Sequence, residues 1–170
     1  MTLHELAAEH AGVRASLLAL SDRKLPSAAV PETWTPRQVV HHVLLADRAI
    51  ISLLERLFDK ITAPVQADMS GPLPIRTGFF GYDRERVKTM AAVKGTEPDP
   101  AVSDENLRNI EAEVNSRYDA LLLKSATHDL HASVFPHRFL GQLNFYEWLA
   151  FGLEHAKLHL QVLQNNLDPR

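Results

Sequence analysis

The sequence predicts an all-α protein, a four-helix bundle with long connecting loops, forming one domain over residues 1–170. Three observations carry this expectation. Four stretches repeat apolar residues at three- and four-residue steps, residues suited to helix capping stand at their starts, and no stretch alternates apolar and polar residues as a strand does. At 170 residues, 45 % hydrophobic and 23 % charged, the chain has the length and balance of one folded unit with a sizeable core.

The first helix is expected over 2–20, capped by Thr2, with Leu3, Leu6, Ala7, Val13, Leu17, Leu18 and Leu20 as its apolar positions. Ser21 to Thr33 carries two prolines and no sustained period, so it is a connection. Thr35 then offers an N-cap and Pro36 occupies the first helical position, where a missing N–H costs nothing. The second helix continues through Val39, Val43, Ala46, Ile50, Leu53, Leu54 and Leu57 to about Phe58. From Ala63 to Gly81, Pro64, Pro72, Pro74, Gly71, Gly78 and Gly81 forbid a long regular element. A short helix over Tyr82 to Val93 and a surface connection from Lys94 to Pro100 follow. Ser103 with Asp104 and Glu105 opens the third helix, about 103–124, whose apolar side holds Leu107, Ile110, Val114, Tyr118, Leu121 and Leu122. Ser125 to Gly141 is expected to be irregular. Asn144, with Glu147 three residues on, forms a capping box for the fourth helix, which runs to about Asn165.

Composition narrows the function. Eighteen Lys plus Arg against 21 Asp plus Glu give a formal charge of −3 with no basic stripe, so no nucleic-acid partner is expected. No stretch approaches the ~18 uninterrupted apolar residues of a membrane span, so no membrane partner is expected either. The polar, acidic opening Met1-Thr2-Leu3-His4-Glu5-Leu6 does not read as a secretory or transit leader, and a cytoplasmic location follows as the expectation. With no cysteine, disulfides, thiolate metal sites and a cysteine nucleophile are excluded; any metal must be held by nitrogen or oxygen.

Nine histidines stand out in this composition. Each helical residue turns about 100°, which places the rings relative to the apolar stripe. On the second helix His42 falls on the flank of the stripe and so looks inward, whereas His41 falls between Arg48 and Ser52 and looks at water. On the fourth helix Glu147, Glu154, Lys157, Gln161 and Gln164 share one arc, and Trp148, Gly152, His155, His159 and Leu163 share the arc that should be buried. His155 and His159 are four residues apart, which lets both imidazoles reach one ion. Gly152, one turn earlier, leaves room beside them for a ligand or water. Taken alone, this pair fits a metal site and two hydrogen-bonded core histidines equally well. A third inward imidazole on another helix favours the metal, because three nitrogens and an open position make a catalytic-type site.

His4 and His10, among charged neighbours, read as surface residues, and His128, His131 and His137 lie in a connection. Asp47, near the stripe edge, could orient a ligand histidine or form a boundary ion pair. His131, His137, Trp148 and Gly152 are the remaining candidates for supporting the site or touching a substrate. Leu44, Leu45 and Ile51 on the back of the second helix are expected to be exposed and to seek a partner helix.

The run Trp34-Thr35-Pro36-Arg37-Gln38-Val39-Val40-His41-His42 resembles the opening of the second helix in DinB/YfiT-like metalloenzymes, where a Trp and a Ser or Thr precede an inward His. Gly141 to Leu149, followed by His155-Ala156-Lys157-Leu158-His159-Leu160-Gln161, resembles that family's last helix. The resemblance implies a four-helix bundle, often a homodimer, with a divalent metal, Ni or Zn, held by three histidines. Carried over residue by residue, these ligands are His42, His155 and His159, the three that helix geometry selects. It also implies a small-molecule substrate, among relatives a low-molecular-weight thiol. Two functions fit: a metal-dependent enzyme (a thiol-dependent transferase or isomerase, or a hydrolase), and a non-catalytic small-molecule-binding or stress-response bundle. In the second, Phe79, Phe80 and Tyr82 of the long loop would line a pocket.

Overall fold

A computed structural model describes residues 1–25, 34–60, 65–76 and 92–167. Four long helices dominate it: α1 (Leu3–Ala19), α2 (Pro36–Asp59), α3 (Asp104–Ser125) and α4 (Phe145–Leu167). Each begins where cap chemistry places it. Thr2 and Thr35 form capping boxes with Glu5 and Gln38, and the Ser103 hydroxyl accepts the Asn106 N–H. At the start of α4 the Glu147 N–H donates to Asn144 Oδ1 at 2.9 Å, and the Asn144 N–H donates to Glu147 Oε2 at 3.0 Å.

Contacts between helices fix their directions. Arg37 reaches Asp104, Arg48 reaches Glu113 and Arg117 reaches Glu55, so α2 and α3 run parallel. His10 meets Tyr118 and Arg14 meets Asn115, so α1 opposes α3. His42 lies against His155 and His159 while Gly152 packs against Asp47 and Ile50, so α4 opposes α2. The bundle is therefore of mixed direction, and the chain between α2 and α3 returns from one pole to the other. Residues 67–76 belong to the first pole, where Leu73 N–H donates to Met1 O and Asn144 donates to Pro74 O. Residues 96–102 belong to the second, against His41, His42 and Arg37.

Four expectations need correction. Ser125 to Gly141 is not wholly irregular: β1 (Val65–Gln66) pairs with β2 (His128–Asp129), and β3 (Val134–His137) pairs with β4 (Gly141–Asn144) in antiparallel ladders. Strands of two to four residues are too short to show alternation, and Pro136 masks β3 further. Leu44, Leu45 and Ile51 are not exposed; they are buried at 2 %, 8 % and 0 % because α2 carries a second partner, α3, on its back. The polar arc of α4 is not solvated at Glu147 and Glu154, both buried. Arg76 pairs with Glu147 at 2.8 Å and Lys157 with Glu154 at 3.2 Å, so each carboxylate keeps a cation. His10 is not a surface residue, as described below. The short helix expected over Tyr82 to Val93 falls outside the described residues save for Ala92 and Val93, which are irregular. Phe79, Phe80 and Tyr82 also lie outside them.

Candidate metal centre

α2 and α4 bring three imidazoles together near the second pole. One ligand nitrogen from each of His42, His155 and His159 lies within 4.8 Å of the others. The ring centroids are 5.2 Å apart for His42 and His155, 4.9 Å for His42 and His159, and 4.6 Å for His155 and His159. Trp34 packs on His42 at 4.8 Å and Phe151 stacks on His155 at 6.0 Å, so two of the three imidazoles carry an aromatic ring against them, while His159 is half-buried.

The protons on these rings follow from their partners. His42 Nδ1 stands 2.7 Å from the Thr96 carbonyl, which only accepts, so Nδ1 carries the proton and Nε2 keeps a lone pair. His155 Nε2 and His159 Nε2 face each other at 3.2 Å, so one proton between them is all that this contact accommodates. Burial and mutual repulsion keep the rings neutral. Burial lowers His42; burial, then the charges of His159 and His42, holds His155 well below the ordinary histidine range. Burial and then His42 push His159 down to about 4. Three neutral imidazoles with converging nitrogens are the donor set that a borderline divalent cation takes, and three ligands leave a coordination position open.

The other sequence candidates sort as follows. Asp47 is buried, 1 % exposed, but it belongs to a layer beneath the cluster: His10 Nε2 stands 3.1 Å and Arg14 Nη1 3.5 Å from its Oδ2. His10 Nδ1 meets the Tyr118 hydroxyl at 3.3 Å, and burial pushes that hydroxyl's pKa up, so it stays protonated. Gly152 does not leave free room. A Cβ there would stand 3.1 Å from His10 Cε1 and 3.5 Å from both Asp47 Oδ1 and Ile50 Cδ1, so the glycine admits α1 and α2 rather than a ligand. Trp148 is buried; its indole N–H donates to Phe135 O at 3.2 Å and clamps the β3–β4 hairpin to α4. His137 packs on Phe151 and Trp148 with centroids 4.4 and 5.2 Å away. Its Nδ1 accepts the N–H groups of Phe139 and Leu140, which leaves its proton on Nε2. His131 is exposed and pairs with Asp129 at 3.1 Å, away from the three rings. His4 is exposed, as expected.

Two histidine placements are corrected. His41 does not look at water; it is 6 % exposed and its Nδ1 accepts the Asp99 N–H at 3.0 Å, because the segment before α3 crosses over the start of α2. His10 is 1 % exposed. Its burial was legible in the steps Leu3, Leu6, His10, Arg14, Leu17, an unbroken helical stripe once polar residues are admitted to it. No signal in the sequence marks the Thr96 carbonyl, since any residue there supplies one.

A mixed four-helix bundle with three inward imidazoles from its second and last helices defines a helical-bundle protein with a site able to hold a metal ion. The model of the DinB superfamily matches residues 4–163, and the chain belongs to that superfamily. Comparison with the curated proteins and with the solved structures finds no match.

Proposed function

We propose that the chain is a metal-dependent enzyme acting on a small molecule, with His42, His155 and His159 as the ligands of one divalent ion, Ni or Zn. The observation that carries the reading is the convergence of three neutral imidazole nitrogens within 4.8 Å between α2 and α4. A bound ion supplies Lewis acidity, which favours the anionic form of a thiol or water that reaches it. The chain's own groups do the rest. Thr96 fixes the His42 ring, Trp34 and Phe151 pack against the His42 and His155 rings, and the Nε2–H of His137, on the far side of Phe151, offers a donor to a substrate acceptor. By likeness to the family, the reaction class is a thiol-dependent transfer or isomerisation, carried out in the cytoplasm, and the protein is a homodimer. The apolar back of α2 contributes nothing to such a dimer, because α3 covers it.

Elemental analysis of purified protein should find about one divalent ion per chain, lost in His159→Ala and in His42→Ala. Absence of a stoichiometric ion, with thermal stability in added Zn or Ni unchanged by His159→Ala, overturns the metal reading and leaves a non-catalytic binding bundle. With metal present, bacillithiol-, mycothiol- and glutathione-type thiols assayed beside a hydrolase panel separate the transferase from the hydrolase. Light scattering reports the dimer.

A further inference from the structure

His41 and His42 are neighbours on α2, so their side chains leave the helix about 100° apart. Both are nonetheless buried, each 6 % exposed, and both are met by the segment that leads into α3. The Thr96 carbonyl accepts from His42 Nδ1 at 2.7 Å, and His41 Nδ1 accepts the Asp99 N–H at 3.0 Å. A backbone carbonyl only accepts and a backbone N–H only donates, so the neighbouring rings carry opposite tautomers, Nδ1–H on His42 and Nε2–H on His41. Little else seats this segment on α2, since from Val93 to Ala101 only Thr96 is buried. The turn before it is formed within itself: Gly95 takes φ +90°, and the Thr96 N–H and Oγ1–H both donate to Val93 O, at 2.9 and 2.8 Å. Between the Thr96 carbonyl and the Asp99 N–H, Pro98 locks its own φ and biases Glu97 to extended backbone. Placing one of the two bonded groups therefore largely places the other.

We propose that His41 is a positioning residue for the three-histidine site: by accepting the Asp99 N–H it seats the 96–99 segment on α2 and keeps the Thr96 carbonyl on His42 Nδ1, which leaves the His42 lone pair on Nε2 for an ion. The role rests on the reading of His42, His155 and His159 as a metal site. Two bonds made from two sides of α2 stop the segment from sliding along the helix or turning about it. Held by His42 alone, the segment swings about a single bond. A His42 ring without a fixed acceptor then shares its proton between both nitrogens, and for part of the time this blocks the one that an ion needs.

The test is long-range ¹H–¹⁵N NMR of the metal-free full chain, which reads the tautomer of each ring, followed by calorimetric titration with Zn²⁺. In the wild type His42 is expected as Nδ1–H and His41 as Nε2–H. His41→Leu removes the acceptor; His42 should then show a mixture of tautomers, and Zn²⁺ affinity should fall on the order of 10-fold. His41→Asn, whose Oδ1 stands where Nδ1 stood, should restore both. If His41→Leu does not fold, Pro98→Gly serves: it leaves both bonds available and removes the stiffness between them, so the same mixing should appear with smaller amplitude. A residue that merely fills space would lower thermal stability in both His41 variants and leave the His42 tautomer alone. The proposal is overturned by a wild-type His42 in the Nε2–H form, by a His42 tautomer unmoved in the folded variant, by equal losses in His41→Leu and His41→Asn, or by a shifted tautomer with Zn²⁺ affinity unchanged. If the tautomers behave as stated and the wild type takes up no Zn²⁺, Ni²⁺ or other divalent ion, the positioning of the His42 ring stands and the metal reading falls.

Discussion

Burial of His159 gives the metal-free chain a pH dependence of definite sign. The ring is held at about 4 in the folded protein against an ordinary 6.5, so between these values the unfolded chain takes up a proton that the folded chain refuses. Stability is therefore full above pH 6.5, declines as pH falls towards 4, and loses no more from this group below it. At about 1.36 kcal/mol per unit the effect of His159 alone is roughly 3 kcal/mol. His42 and His155, lowered chiefly by burial, act in the same direction. Urea midpoints above pH 6.5 and near pH 4 should show this decline, and His159→Phe should make it shallower. An equal decline in the variant would assign the effect to groups other than His159. At this scale the sequence was legible where side-chain direction follows from one helix alone. His42, His155 and His159 could be placed inward from their own stripes. His41 could not, because what buries it is a segment more than fifty residues away, meeting it through a backbone N–H at Asp99.

The helices were readable to within a residue or two because caps and periodicity are local. The β3–β4 hairpin was not. Its four-residue strands expose Val134, Phe135 and Pro136 and derive their order from docking on Trp148 and from one backbone requirement. That requirement is Gly141, which closes the turn at φ +74°, in the left-handed region where a Cβ is strained. Gly141→Ala is expected to cost about 1 kcal/mol. For a chain of this length that lowers Tm by about 2–4 °C. Because the turn's N–H groups of Phe139 and Leu140 hold His137 Nδ1, the same substitution should loosen that ring. A scanning-calorimetry Tm equal to wild type, with the His137 tautomer unchanged by NMR, would show that the turn does not depend on the glycine.

At the scale of the whole molecule, the parallel run of α2 and α3 has a mechanical consequence. Helices α2 and α4, which carry the three imidazoles, are far apart in sequence and meet antiparallel, so an ion held between His42 and His155/His159 ties the first half of the chain to the last. Free energy of binding then appears as folding free energy, about 2.7 kcal/mol at an ion concentration 100 times Kd. The gain is not spread evenly for amides that exchange by local opening. Hydrogen exchange of the Zn²⁺-loaded chain should slow most in the early turns of α2 around His42 and in the turns of α4 between Gly152 and His159. The far pole, where Leu73 bonds to Met1 and Asn144 to Pro74, should exchange by local opening at its metal-free rate. Protection appearing equally at both poles would mean that the ion acts elsewhere or everywhere. Protection appearing at the second pole alone, and vanishing in His42→Ala, would mean that α2 and α4 are clasped at the point where their imidazoles meet.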